Sequence, residues 1–288
     1  MRKKFLALRQ ALIPRILLVV LPTTFLGFLA SGSGDLGVLL LSLVIITIVD
    51  VGANLLNNYA DWRIDIINRK RLTMHDVFDR NDLLVFYLAS LILLAITLFF
   101  AKINPFLLVV VLAGVLFGMQ YSALLRLKDR VIINYATIAI AYGGISFLTG
   151  FFAGTSDIWL FYEWLPITIF IILVDFGYSM TKDYPDVLGD LEHSKMTLPV
   201  IFGKARAVRM QAVIIGATYL FLLLMVFSEK VHYIYLLLLI SYLIAMAKLR
   251  IIHLSEDKVT HDLMHYYAQI NGLIVRFIII AIVVFLGK

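Results

Sequence analysis

The chain has 288 residues, of which 62% are hydrophobic and only 15% charged, and its mean hydropathy is +0.96. Soluble chains are typically about 45–50% apolar, so the composition excludes an ordinary soluble protein and implies an all-α, polytopic membrane protein, a single integral-membrane domain over residues 1–288. With no cysteine, disulfides, thiolate metal sites and cysteine nucleophiles are excluded. The net charge of +6 comes from basic residues in short loops between apolar runs, a pattern of membrane topology and not of nucleic-acid binding.

A bilayer crossing takes about 20 mostly apolar residues. Nine stretches qualify: Leu12–Ala30, Leu36–Asn58, Leu83–Ala101, Phe106–Leu125, Ile132–Phe152, Trp164–Thr181, Ala212–Phe227, Val231–Ala247 and Tyr267–Leu286. Arg2-Lys3-Lys4 before the first run resembles a signal peptide, but Ala11 to Ala30 is too long for its apolar core, so an uncleaved helix is expected. Ser31-Gly32-Ser33-Gly34 and Lys102-Ile103-Asn104-Pro105 read as turns. One set of loops holds twenty lysines and arginines and the opposite set only Lys102, Lys230 and Lys288. That bias implies a cytoplasmic N-terminus and an external C-terminus. The richer loops, 58–82 and 182–211, then face the cytoplasm, where function is expected.

The second run ends in Asn57-Asn58-Tyr59-Ala60-Asp61-Trp62-Arg63-Ile64-Asp65. Asp61 and Asp65 are four apart, which puts them on one helix face with Asn57, Asn54 and Asp50 behind them. Like charges at this spacing repel and need a cation. The sixth run ends in Lys182-Asp183-Tyr184-Pro185-Asp186-Val187-Leu188-Gly189-Asp190, where Asp186 and Asp190 repeat the spacing. Solvated loop charge would explain one such pair. Two, each closing an apolar run on the same side, point to metal ions and a phosphorylated ligand. Magnesium is a hard cation that uses one or two carboxylates plus substrate phosphates, and Asn57 can add a neutral oxygen. Two ions between the pairs and a diphosphate make a coherent site. Four spans apart, the two motifs also suggest two similar four-helix halves with a ninth helix added.

Four carboxylates and a diphosphate outweigh two divalent cations, so basic side chains should complete the site. Candidates are Arg69, Arg126, Lys128, Lys182 and Lys195, each of which serves equally well as a plain positive-inside residue. Lys182 stands out, beside Asp183 and at helical spacing from Asp186; Pro185 either breaks that helix or starts a new one. Asp50 and Asp175 lie inside apolar runs, where carboxylates usually face an internal cavity; both are expected to line one, and Arg276 to pair with one of them. Tyr121, Tyr135, Tyr142, Phe147, Phe176, Tyr178 and Met180 suit either the lining of a pocket for an isoprenoid chain, with cation–π stabilisation of a carbocation, or ordinary helix packing. Gly114 and Gly118, like Gly143-Gly144, suit close helix packing. His261 and His265 have zinc-ligand spacing without a third ligand, which reads as an exposed helix start. No P-loop, dinucleotide fingerprint or nucleophile elbow is present.

The segment Asn54–Asp65, continued by Ile67-Asn68-Arg69, resembles the first aspartate motif of the UbiA superfamily of intramembrane prenyltransferases. Tyr121-Ser122 with Arg126-Leu127-Lys128 is similar to that family's Tyr-Ser…Arg-Leu-Lys loop. Tyr178, Lys182-Asp183, Asp186, Gly189-Asp190 and Thr197-Leu198-Pro199 resemble its second motif and tail. The resemblance spans most of the chain, in order. It implies nine helices around a central cavity and magnesium-dependent transfer of an isoprenyl chain from an allylic isoprenyl diphosphate to a lipophilic acceptor: a quinone ring precursor, a glycerol lipid or a pigment. It implies metal binding by Asn57, Asp61, Asp65, Asp186 and Asp190, and diphosphate contacts from Arg69, Tyr121, Lys128 and Lys182, with Arg126, Asp183 and Asn57 in the same shell. Asn58 departs from the motif's usual Asp, Leu124-Leu125 replace common prolines, and Arg69-Lys70-Arg71-Leu72 lacks prolines that often follow Asn-Arg. The competing reading is a cation transporter using the carboxylates as an ion path. A non-catalytic lipid binder is a third, disfavoured by the intact Asp pairs.

Overall fold

In lipid a backbone must satisfy its own N–H and C=O groups, which a helix does within one segment. The computed structural model describes residues 2–12, 16–67, 71–101, 103–192 and 195–286, with no strand among them. In chain order the helices are α1 (Arg2–Leu12), α2 (Leu17–Ala30), α3 (Leu36–Ala60), α4 (Trp62–Ile67), α5 (Leu72–His75), α6 (Arg80–Ala101) and α7 (Pro105–Ser122). Then come α8 (Val131–Ala139), α9 (Ser146–Gly154), α10 (Ile158–Ser179), α11 (Val187–Glu192), α12 (Leu198–Phe202), α13 (Lys204–Phe227), α14 (Leu239–Leu254) and α15 (Lys258–Leu286). Among the described residues eight helical stretches are long and apolar enough to cross a bilayer, nine if Lys3–Leu12 and Leu17–Ala30, meeting at 51°, count as one. The expected first crossing, Leu12–Ala30, is therefore a shorter α2 behind a separate α1 of basic character, and residues 13–15 lie outside the described residues.

Several helices outrun the apolar stretches that announce them. α10 starts at Ile158 and not Trp164 because Asp157 caps it, accepting from the N–H groups of Trp159 and Leu160 at 2.8 and 3.1 Å. α13 and α15 start at Lys204 and Lys258, well before Ala212 and Tyr267, with polar first turns. The turns at this end are built as their residues suggest. Gly32 takes φ +72°, Asp35 caps α3, and Asn104 caps α7 just before Pro105.

Small residues set the helix spacing. A Cβ on Gly27 would stand 2.0 Å from the Phe147 carbonyl oxygen, and one on Gly150 1.8 Å from that of Thr24. α2 and α9 therefore cross backbone to backbone. Gly118 lies against Ala53 of α3, and Gly143 against Ile172 of α10, as close packing requires. Between α8 and α9, Ile140–Ile145 winds as a π-helical turn, a feature frequent at functional sites. α3, α7, this turn, α10 and α15 enclose a cavity.

Candidate active site

The first aspartate pair forms where α3 stops. Asp61 follows its last residue and α4 begins at once, yet Asp65 N still donates to Asp61 O at 2.9 Å. The i, i+4 register thus survives the break. The second pair repeats this: Asp190 N donates to Asp186 O at 2.9 Å. Ahead of it α10 tightens into a 3₁₀ turn, Met180–Asp183, Pro185 sits in the following turn, and α11 starts at Val187. Pro185 thus separates two helices, and Lys182 turns to partners far along the chain.

Each pair is met by cations. Asp61 is buried, 8% exposed, with Lys128 Nζ at 2.8 Å and Arg126 Nη2 at 3.7 Å from Oδ1. Arg71 binds Asp65 through Nη1, and Lys195 Nζ lies 3.6 Å from Asp190. Arg126 also holds Asp129 at 2.6 Å. Arg71 and Arg126 take left-handed φ values of 50° and 48°, costly for a side chain with a Cβ and typical of functional segments. Burial pushes the Lys128 amine below the usual lysine value, against Asp61. Burial also opposes charge on Lys195, but Asp190, Asp61, Asp129 and Asp186 together hold it above that value. Carboxylates of both motifs therefore act on one amine.

A second cluster links three elements. Lys182 Nζ donates to Asn134 Oδ1 at 2.7 Å and to Tyr121 Oη at 3.0 Å, and Tyr121 Oη donates to Asn134 Oδ1 at 3.1 Å. Asn57 Oδ1 accepts from Lys128 Nζ at 3.0 Å and Ser122 Oγ at 3.3 Å. Asn57, Arg71, Tyr121 and Lys182 line the polar end of a cavity of about 300 Å³. Its walls are apolar, with Val20, Ile46, Val49, Phe117, Ile138 and Ile145 among them. Asp50 and Asp175 line it too. Asp50 accepts from Asn54 Nδ2 at 3.2 Å. Asp175 accepts from Arg276 Nη2 at 2.6 Å, while Arg276 Nε donates to Thr23 and Nη1 to Gly272 O at 3.0 Å. The expected partner of Arg276 is thus Asp175.

Not every sequence candidate reaches the cavity wall. Asp61, Asp65, Asp186, Asp190, Arg126 and Lys128 are absent from its lining; Asp61 and Asp65 adjoin it through Lys128–Asn57 and Arg71. Asp183 is buried and accepts from Tyr135 Oη. Arg69 lies outside the described residues. Tyr142 and Tyr178 line the cavity, whereas Tyr135 and Phe147 are fully buried packing residues. The His261–His265 segment does open near a helix start, but it is not simply exposed. His261 is 6% exposed and bonds Ser255 O through Nε2 at 3.0 Å, and His265 lines the cavity. Arg71, Asn134 and Gln269 had no distinguishing sequence signal, and His265 had only its spacing from His261.

The donor set suits magnesium. Among the described residues no three His, Asp or Glu side chains converge, and magnesium typically takes one or two carboxylates plus substrate phosphates. Asp61 Oδ1 is a buried hard oxygen with Lys128 Nζ at 2.8 Å and Arg126 Nη2 at 3.7 Å. Asn57, Asp61, Asp65, Asp186 and Asp190 are the oxygen donors here that would hold a metal.

Fold and site together define a polytopic helical membrane protein whose acidic and basic end caps an apolar internal cavity. The model of the UbiA prenyltransferase family matches residues 19–273, and the chain belongs to that family. It is 30% identical over 177 residues to a digeranylgeranylglyceryl phosphate synthase of Methanoregula boonei, covering 61% of this chain and 60% of that relative. The corresponding protein of Methanobrevibacter smithii is 25% identical over 284 residues, 93% of each chain. The matched part thus spans about 60% of the first relative's length. The fold is similar to a solved digeranylgeranylglyceryl phosphate synthase, with TM-score 0.69, 20% identity and 98% of each chain covered. It is also similar to an Archaeoglobus fulgidus UbiA homologue bound to GPP and Mg2+, with TM-score 0.67, 15% identity, and 96% of this chain and 99% of that one covered.

Proposed function

We propose that this protein is an intramembrane prenyltransferase that moves an isoprenyl chain from an allylic isoprenyl diphosphate to a glycerol lipid. The observation that carries it is a cavity polar at one end and apolar beyond, with Lys182, Tyr121, Asn57 and Arg71 at the polar end and the first aspartate pair joined to it through Lys128–Asn57 and Arg71. That shape matches a molecule with a diphosphate head and a hydrocarbon tail. The relatives' name favours a glyceryl phosphate acceptor over a quinone ring precursor or a pigment. The magnesium-bound homologue supports a metal-assisted reaction; two ions, one per pair, is our reading. The N-terminus is assigned to the cytoplasm, with the active-site loops, from the twenty-to-three bias in basic residues. A transporter reading gains no support: the family match contradicts it in kind, and the interior charges are held, Asp175 by Arg276.

Magnesium, when bound, would neutralise charge on the departing diphosphate. Lys182 and Tyr121 would hold its oxygens as donors, and the apolar walls would seat the tail and exclude water. Ionisation before attack is our reading of the route, because an allylic cation spreads its charge over two carbons inside a dry, apolar cavity. The test uses purified protein, magnesium, a labelled prenyl diphosphate and a panel of acceptors, with the product identified by mass. A donor whose first double bond is reduced keeps head and tail but loses allylic stabilisation. It should bind as a competitive inhibitor and turn over negligibly. Comparable turnover of both donors would replace ionisation with direct displacement.

A further inference from the structure

A hydrocarbon tail carries no polar hydrogen, so a hydrogen-bond acceptor set among the apolar walls answers to a different ligand. Asp50 of α3 is such a group. It lines the cavity beside Ile46 and Val49 and is buried, 7% exposed. Asp175, also on the wall, is paired with Arg276 at 2.6 Å. Asp50 has no ion pair among the described residues. Its Oδ2 accepts from Asn54 Nδ2 at 3.2 Å, and the same amide donates to Asp50 O at 2.9 Å. This two-point hold from one turn away fixes how the carboxyl is turned. Oδ1 takes no hydrogen bond among the described residues and, unlike the enclosed Asn271 Oδ1, still meets open space. An unpartnered carboxyl oxygen on an apolar wall is costly, and a ligand that brings a polar hydrogen removes that cost.

The depth of Asp50 fits the second substrate. It stands seven residues before Asn57 on one helix, two turns down the same face and about 10 Å deeper at 1.5 Å per residue. With the diphosphate at the polar end, its first prenyl carbon hangs just inside the cavity. A nucleophile about 3–3.5 Å from that carbon, giving a hydrogen bond of about 2.7 Å, reaches down to the layer of Asp50. We propose that Asp50 binds and orients the acceptor hydroxyl, taking its hydrogen bond on Oδ1, with Asn54 aligning the carboxyl; this rests on the prenyltransferase reading with a hydroxyl acceptor. The ligand class is an alcohol on an apolar body. A glyceryl phosphate lipid would be oriented by the same wall: its phosphate suits the cationic end, which leaves its open hydroxyl to face Asp50.

The test changes ligand and side chain together. One ligand is a glyceryl phosphate lipid with one prenyl ether and one open hydroxyl; the other is its deoxy analogue, with hydrogen in place of that hydroxyl. Both are titrated against protein loaded with magnesium and a non-hydrolysable prenyl diphosphate. The wild-type protein should bind the alcohol about tenfold more tightly than the deoxy compound. In Asp50→Leu, which suits an apolar wall, that ratio should fall to near one while affinity for the donor analogue stays unchanged. Asp50→Asn keeps the size and one accepting oxygen and should give a ratio between the two. In turnover, Asp50→Leu should raise the acceptor KM about tenfold and leave the donor KM unchanged. A ratio preserved in both variants overturns the assignment, as does a loss of affinity shared equally by the two ligands or by the donor analogue. If the wild-type protein binds the donor analogue but neither binds the alcohol nor forms ether from it, the hydroxyl-acceptor reading falls and the role of Asp50 with it. If ether forms and the ratio is unchanged in Asp50→Leu, only the role of Asp50 falls.

Discussion

The two aspartate pairs share local geometry and differ in what neutralises them. Asp61 and Asp65 are met by Lys128, Arg126 and Arg71, of which Lys128 is 67 positions from Asp61 in sequence and itself buried. Asp190 is met by Lys195 from the same loop, whose side chain is 22% exposed. The first pair is thus tied into the tertiary structure, because its partners fasten the 123–130 loop onto the end of α3. In the second, Lys195 stands close after Asp190 in the sequence. Equivalent chemistry can therefore carry unequal structural weight, and substitution should separate the two.

The largest effect should be on turnover, and it should be shared. Asp61→Asn and Asp186→Asn each remove a carboxylate from a pair expected to hold magnesium, and each should lower kcat at least about 100-fold. Chelation should abolish activity in the wild type, and added magnesium should restore it. Near-normal rates in either variant would remove the two-pair site.

Stability should then break the symmetry. Asp61→Asn strips the charge partner from buried Lys128, which typically costs about 3 kcal/mol, whereas Asp186→Asn, at a half-buried position, should cost about 1 kcal/mol. Thermal unfolding in detergent reads this difference. The double variant Asp61→Asn with Lys128→Met should recover most of the loss, since neither charge is then left alone. Equal stability of the two single variants would mean that the first pair has no such structural role.

Smaller effects should sort the lysines. Lys182 makes two hydrogen bonds at the cavity's polar end, and a charged hydrogen bond to the diphosphate would be worth about 2 kcal/mol. Lys182→Met should therefore weaken donor binding about 30-fold. Lys195 is partly solvated, so Lys195→Met should weaken it about fivefold. Titration with a labelled non-hydrolysable diphosphate measures both, and a reversed order would put the donor head nearer the second pair.

Much of the frame was readable from residue order alone. Apolar runs of bilayer length had to become helices, because lipid offers the backbone no other hydrogen-bond partners. The Asp61–Asp65 and Asp186–Asp190 spacings survive as backbone bonds between the same residues, since i, i+4 geometry is local and needs no tertiary context. The placement of Asp50 and Asp175 on a cavity wall followed from the cost of a lone carboxylate in lipid. Helix starts were misjudged at Trp164, Ala212 and Tyr267 because apolarity marks the membrane layer, while a helix continues until a cap such as Asp157 ends it.

What the order of residues could not decide was which distant groups meet. Lys128 with Asn57, Lys182 with Asn134 and Tyr121, and Arg276 with Asp175 and Thr23 join elements 48 to 253 positions apart. Those meetings depend on how closely and at what rotation the helices pack, and contacts such as Gly27 on Phe147 and Gly150 on Thr24 fix that spacing. Arg71 and His265 joined the site only through such packing: one reaches Asp65 from a left-handed backbone turn, the other turns inward from α15. Sequence determined the helices, the i, i+4 carboxylate pairs and the family resemblance, because each rests on local spacing. The tertiary structure alone decided which charges pair and which polar groups face the cavity, because those depend on distances between helices that no local pattern encodes.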